Sequence, residues 1–154
     1  AQADGLPALK DCHLRIFRSF VKGRTFMETS RYDEMRLQAD TIRQELSRVV
    51  AARAMNLLVG PNTFANLKEN PRRAFRLLSQ AYGLIYAAQF ARNTQGKPFI
   101  TNEETGNLLH ELEKNDGLWD KERLLGREQT EGALYNLATR IGKIFGVSLE
   151  DIKK

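Results

Sequence analysis

The stretch MRLQADTIRQELSRVV, residues 35–50, decides the fold of this chain. Its apolar residues follow one another at spacings of four, three, four and three: Met35, Ala39, Ile42, Leu46 and Val49. This is the period of an α-helix that packs one face into a bundle. A helix is therefore predicted over residues 30–58, with Ser30 as its cap and Gly60-Pro61 after its end.

Three further segments have helical periodicity, and together they predict an all-α protein. They cover residues 7–22, 71–92 and 127–145. A shorter helix, capped by Thr101 or Asn102, is expected within residues 99–125. The whole chain, 1–154, is predicted to be a single four-helix-bundle domain in up-down-up-down order, with an extra short-helix segment before the last main helix.

The apolar stripes of these helices predict one shared core. Its expected members are Met35, Ile42, Leu46, Leu78, Tyr82, Ile85, Leu137 and Ile141. The first helix is expected to bury a stripe of Leu9, Cys12, Ile16 and Phe20, backed by Phe17 and Val21. Because Leu→Ala at a buried site costs about 2–5 kcal/mol, Leu46→Ala is expected to destabilise the protein measurably.

Composition limits the class of protein. The share of hydrophobic residues is 42% and that of charged residues 28%, the balance of a folded globular chain. No apolar run approaches the roughly 18 residues of a membrane span, so a soluble protein is expected. The single cysteine excludes an internal disulfide and a zinc site built from several thiolates.

The residues that carry catalysis or bind metals are scarce. The two histidines, His13 and His110, lack the Glu-x-x-His spacing with which bundles bind two irons. Cys12 lies on an apolar stripe, where a buried hydrophobe is expected rather than a nucleophile. The sequence therefore predicts a protein that is not an enzyme and has no catalytic residue, no metal site and no cofactor.

Basic residues are the more informative group. The net charge is +5, which favours an anionic partner. Two clusters are predicted to bind the partner. The first helix carries Arg15, Arg18, Lys22 and Arg24; the start of the 71–92 helix, where the helix dipole opposes cations, carries Arg72, Arg73 and Arg76.

Three helices also share sequence patterns with a known family. In residues 35–50 the matching positions are Arg36, Leu37, Ala39, Ile42, Arg43, Glu45, Leu46 and Val49. The third helix adds Leu77-Leu78-Ser79, Leu84 and Ala87-Ala88, and the last adds Gln129-Thr130-Glu131-Gly132-Ala133-Leu134. These patterns resemble the PsbQ-like extrinsic proteins of photosystem II. Tyr86 replaces an acidic residue of the family, and the segment before the last helix is longer. Both departures suggest a divergent relative, such as the extra extrinsic subunit of diatom-type photosystems.

The resemblance implies a location and a function. The protein would lie in the thylakoid lumen of a plastid, peripheral on the lumenal membrane face. It would dock electrostatically on the intrinsic and other extrinsic subunits of photosystem II and support oxygen evolution. It would help the water-oxidising complex to retain calcium and chloride without supplying a ligand to the manganese cluster. Neither a nucleic acid nor a small-molecule substrate is expected.

Two alternatives remain open. Leu14-Arg15-Ile16-Phe17-Arg18 is similar to the signature of LYR-type mitochondrial accessory proteins, which dock an acyl carrier protein, although its tyrosine is replaced. A helical nucleic-acid-binding domain would also be basic, but it would want one recognition helix rich in exposed polar residues. Here the basic residues are spread over several helices.

Overall fold

The computed structural model describes residues 5–127 and 131–152, and this part of the chain is all-α. Its seven α-helices are α1 (Cys12–Glu28), α2 (Tyr32–Val59), α3 (Pro61–Glu69), α4 (Pro71–Ala88), α5 (Asn102–Glu113), α6 (Lys121–Leu125) and α7 (Ala133–Phe145). Single 3-10 turns lie at Pro7–Leu9 and Gly117–Trp119. The predicted fold class, a helical bundle without strands, is confirmed for these residues. The four-helix arrangement and its up-down-up-down order stay predictions.

Some helix boundaries differ from the predicted ones, because glycine and proline do not always end a helix. α1 continues through Gly23 to Glu28, because a single glycine inside a helix costs only about 1 kcal/mol. Gly60-Pro61 ends α2 as predicted but also opens α3, which was not predicted. Proline suits the first turn of a helix, where its missing N–H has no partner to lose. The predicted 71–92 helix ends at Ala88.

Three short stretches of the predicted domain 1–154 lie outside the described residues: 1–4, 128–130 and 153–154. The predicted helix 127–145 includes the second of them. In the described part that helix begins at Ala133. It ends at Phe145, where the predicted range also ends, and Gly146 follows in the left-handed conformation (φ 64°).

The core lies between the second half of α2 and helices α4 and α7, and α5 covers it. Met55 and Leu58 of α2 are fully buried, as are Leu78 of α4 and Leu134 of α7. Four of the predicted core residues are confirmed as buried: Leu78, Ile85, Leu137 and Ile141. Tyr82 is partly buried against the same cluster.

The predicted burial of Leu46 is wrong, because its side chain is 51% exposed. α2 has 28 residues and is therefore about 42 Å long at 1.5 Å per residue, longer than the core it serves. The buried apolar residues of α2 all lie between Ala51 and Val59, whereas Met35, Ala39 and Ile42 of its first half face α1. Met35 and Ile42 are only half-buried for the same reason.

The predicted apolar stripe of α1 is also only partly correct. Leu9 and Cys12 are buried and Ile16 is half-buried, whereas Phe17, Phe20 and Val21 are exposed. Among the described helices, α1 makes extensive contacts with α2 alone. Its outer face therefore has no neighbour in the described chain.

The segment before α7 is anchored as the sequence predicted. Thr101 caps α5: its hydroxyl accepts from the Glu104 N–H at 3.1 Å, and the Glu104 carboxylate accepts from the Thr101 N–H at 2.8 Å. Trp119 stacks on Phe75 of α4 with ring centroids 4.8 Å apart. Arg123 donates to the carbonyl oxygens of Glu111, Leu112 and Gly117, so the last carbonyls of α5 gain partners.

No helix in residues 5–127 and 131–152 combines the length and the apolar character that crossing a bilayer requires.

Candidate functional site

Residues 12–46, comprising α1 and the first half of α2, form a helical hairpin whose surface is unusually apolar. Large apolar side chains exposed to solvent lie along it: Leu14, Phe17, Phe20, Val21, Met27, Tyr32, Leu37 and Leu46. Phe17 is 65% exposed and Phe20 60%. The hairpin thus presents the kind of surface that marks an interaction site.

One side of the hairpin is a groove. Phe20, Gly23 and Met27 of α1 face Met35, Ala39 and Ile42 of α2 across a cavity of about 260 Å³. α1 and α2 lie close together at Gly23, where a β-carbon would make an ordinary contact of 3.5 Å with that of Gln38. We call this surface the hairpin groove. Its lining is mostly apolar, and Arg24 borders it.

The outer side of α1 carries a second apolar stripe. Leu14, Phe17 and Val21 fall at positions i, i+3 and i+7, which places them on one helix face. By helical geometry this face is opposite Cys12 and Ser19, the two buried residues that α1 turns toward α2. The hairpin therefore offers apolar surface on two sides.

A partly buried ion pair connects the two helices of the hairpin. Arg15 of α1 binds Glu45 of α2 through two bonds, Nε to Oε1 at 2.9 Å and Nη2 to Oε2 at 2.8 Å. Arg15 also donates from Nη1 to the Lys10 carbonyl oxygen at 3.0 Å. The hydrogen-bonded Arg15 guanidinium lowers the pKa of the Glu45 carboxyl despite its burial. Arg15, which was predicted to bind a partner and which also belongs to the LYR-like stretch, is thus engaged within the fold.

Cys12 is buried next to this ion pair. Its Sγ lies 4.0 Å from the Glu45 carbonyl oxygen, and burial raises the pKa of the thiol. A raised pKa leaves little thiolate at neutral pH, and the thiolate is the reactive form. The predicted reading of Cys12 as a buried hydrophobe is confirmed by its 4% exposure.

The ion pair gives the first testable prediction. We expect Glu45→Gln to lower the free energy of unfolding at pH 7 by about 1–2 kcal/mol, less than the 3–5 of a fully buried pair because Arg15 is 39% exposed. The folded-state pKa of Glu45 lies below its ordinary value of 4.5, so its contribution is present above that pH. It is lost as the pH falls through the lowered pKa.

The measurement is urea unfolding of the parent and of Glu45→Gln at a series of pH values from 7 down to 3. The stability difference between the two proteins should be largest at neutral pH and shrink in acid. Glu28→Gln, which breaks the fully exposed pair with Arg24, is the matched control and should change little. A difference that stays constant with pH would contradict the assignment.

The other predicted partner-binding cations of α1 are accessible. Arg18 and Lys22 are exposed and, within the described residues, form no ion pair. Arg24 is exposed and pairs with Glu28, Nε to Oε1 at 2.8 Å. Of the four predicted partner-binding cations of α1, Arg18 and Lys22 therefore remain available for an external anion.

The second predicted cluster lines a larger cavity, of about 630 Å³, that we call the arginine cavity. Arg72, Arg73 and Arg76 of α4 share it with Arg53 of α2. The remaining lining residues are Asn70, Leu77 and Gln80. Sequence reasoning missed Arg53, because only the packing of α2 on α4 brings residues 20 positions apart to one surface.

The electrostatics of the arginine cavity are unfavourable in isolation. The first turn of α4 contains no acidic residue, and the Asn70 side chain accepts from the Arg73 N–H at 3.2 Å. Each cation near a helix N-terminus loses about 0.3–1 kcal/mol to the helix dipole. Within the described chain, no carboxylate pairs with any of these four arginines. The cavity is thus a concentrated and uncompensated positive surface.

The described residues contain no cluster of three or more His, Cys, Asp or Glu side chains that could hold a metal ion. His13 and His110 lie at exposed positions on different helices. The expectations that the protein has no metal site, no cofactor and no catalytic residue stay predictions.

Comparison with known proteins places the chain in a family. The family model described as a domain of unknown function, DUF4856, matches residues 8–148. The chain belongs to this family. The match includes the hairpin, the arginine cavity and all seven helices. No curated protein and no solved structure matches the chain. Because the family description names no activity and no partner, the resemblance to PsbQ-like proteins stays a prediction.

Proposed function

We propose that the protein is a non-enzymatic docking protein that binds a larger protein partner through its hairpin. The observation that carries this proposal is the exposure of large apolar side chains along residues 12–46. Burying such a side chain fully is worth about 1.5–3 kcal/mol, so half-exposed phenylalanines leave much of that energy unused in the free protein. A partner that covers them would recover it.

The shape of the hairpin groove suits an α-helix of the partner. Two adjacent helices with an apolar groove between them can bind the apolar face of a third helix. Phe20 and Met27 on α1, with Leu46 on α2, would serve as anchors because they are large, exposed and held on rigid helices. The ion pair between Arg15 and Glu45 keeps the two helices in register.

The cations of α1 would guide the encounter. Arg18 and Lys22 lie beside the outer apolar stripe, and Arg24 borders the groove. An acidic rim on the partner would be attracted to them, which raises the rate of association more than the final affinity. The proposed interface thus has an apolar centre and a basic border.

The resemblance to PsbQ-like proteins gives this proposal a specific partner. In that form, the protein is an extrinsic subunit of photosystem II in the thylakoid lumen. It docks on the intrinsic core or on other extrinsic subunits and supports calcium and chloride retention. Support for the partner comes from the shared helix patterns, and support for the docking face comes from the hairpin.

The test is a binding assay on salt-washed photosystem II membranes over an ionic-strength series. We expect Phe17→Ser combined with Phe20→Ser to abolish binding while the fold, followed by circular dichroism, is unchanged, because both side chains are already exposed. Tyr86→Ser with Phe90→Ser is the matched control. These aromatic residues are 52% and 66% exposed, and they lie in the last turn of α4 and directly after it, outside residues 12–46.

Charge reversal separates the two contributions. Arg18→Glu with Lys22→Glu should slow association at low salt, and this effect should fade as the Debye length shortens from about 10 Å at 0.1 M to 3 Å at 1 M. If the parent protein does not bind these membranes at low salt, the photosystem partner is wrong. If it binds and the phenylalanine variant binds equally well, the hairpin is not the docking face.

A further inference from the structure

We infer that the arginine cavity is a binding site for a small ligand that carries two or more phosphate groups. The inference is independent of the hairpin proposal, because none of the cavity residues lies within residues 12–46. It rests on the convergence of four arginines from two helices on one concave surface without a carboxylate among the lining residues.

Four like charges gathered in one cavity repel one another unless an anion joins them. Arg72 and Arg76 are also four residues apart on α4, a spacing at which like charges destabilise a helix. Arg53 has a weak local partner, the Asn56 side-chain oxygen at 3.5 Å. The fold therefore holds these cations together with little internal compensation, which suits an anionic ligand.

The residue type points to phosphate. All four cations are arginines, although the chain also contains lysines. The planar guanidinium donates two parallel hydrogen bonds that match the oxygens of a phosphate group, whereas lysine acts as a point charge. One phosphate group carries at most two negative charges, so four guanidinium groups suit a diphosphate or triphosphate better than a single phosphate.

The shape of the site favours a small ligand over an extended protein surface. A cavity of about 630 Å³ falls within the size range of small-molecule sites. Leu77 supplies one apolar wall, and the Gln80 amide can donate or accept a hydrogen bond. A nucleotide would use these neighbours of the phosphate site, while free polyphosphate would use the arginines alone.

The experiment is isothermal titration calorimetry of the full chain. The ligands are tripolyphosphate, pyrophosphate, orthophosphate, ATP and a polyglutamate peptide. We expect affinity to rise from orthophosphate to tripolyphosphate and the melting temperature to rise with bound ligand. Arg53→Gln with Arg76→Gln should weaken tripolyphosphate binding about tenfold or more, because each removes charge-assisted hydrogen bonds. The Lys versions of the same pair should fall between parent and Gln variant.

Lys97→Gln with Lys121→Gln is the control, since it removes the same charge from exposed positions outside both the cavity and the hairpin. This control should retain tripolyphosphate binding. If Arg53→Gln with Arg76→Gln impairs folding, Arg72→Gln with Arg73→Gln repeats the test. ATP binding that exceeds tripolyphosphate binding identifies a nucleotide; equal binding identifies polyphosphate. If the cavity and control variants lose the same affinity for tripolyphosphate, binding depends only on the net charge of the protein, and the inference is overturned. Tighter binding of polyglutamate than of tripolyphosphate would overturn it in favour of an acidic protein segment.

Discussion

Replacing Leu78 by alanine should lower the free energy of unfolding by about 3–4 kcal/mol, the largest single effect expected in this protein. Leu78 lies on α4 between α2 and the other core helices, and its side chain is fully buried. The substitution removes apolar contacts and leaves a cavity, because the closely packed core around Leu78 cannot collapse completely. Urea unfolding at pH 7 measures it, and an unchanged dependence on urea concentration would show that the unfolded state is unaffected.

Leu46→Ala is the matched control for this prediction. The sequence pattern gives Leu46 and Leu78 the same status, since each lies on an apolar helix stripe. In the structure Leu46 is 51% exposed, so its truncation should cost less than about 1 kcal/mol. Equal losses for the two variants would show that α2 is buried over its whole length and that the hairpin description is wrong.

Gly142→Ala should destabilise the protein by about 2–3 kcal/mol, although alanine is the better helix former. Gly142 lies in α7, where a β-carbon would come within 2.5 Å of the Val147 carbonyl oxygen and 3.0 Å of Met55 Cε. The Val147 N–H also donates to the Gly142 carbonyl oxygen at 2.9 Å. The turn after α7 therefore cannot move aside without losing that bond, and Met55 is enclosed in the core.

Gly83→Ala provides the opposite expectation. Gly83 is an exposed glycine inside α4, and a β-carbon there would meet nothing within 4 Å. Alanine should stabilise the protein by about 0.5–1 kcal/mol, because it lowers the entropy cost of forming the helix. Thermal unfolding of both variants tests the pair. A rise in melting temperature for Gly142→Ala would mean that α7 does not pack closely on α2.

Much of the local structure could be predicted from the sequence. The periodicity of residues 35–50 predicts α2, and Thr101, one of the two predicted caps, is the residue that caps α5. The predicted end of the last main helix at residue 145 is the observed end of α7. These features depend on neighbours three or four residues apart, so a single segment contains the information needed to form them.

The candidate surfaces could be predicted only in part. Arg72, Arg73 and Arg76 were found because charge at a helix start is visible in one segment. Arg53 was missed because it reaches the same cavity from another helix. The sequence predicts Arg15 as a docking residue because it does not show that Glu45, 30 residues later, accepts hydrogen bonds from Nε and Nη2 of this arginine.

The sequence by itself determined that this chain is helical, where its main helices lie and which of their faces are apolar. Only the tertiary structure decided which apolar faces are buried. The stripe of α2 continues unbroken from Met35 to Val49, yet its first part lies beside α1 alone and its continuation enters the core. Periodicity records that a helix has an apolar face, whereas burial depends on whether another helix reaches that face. The hairpin and the arginine cavity both arise from that difference, since each is made by the packing of separate helices.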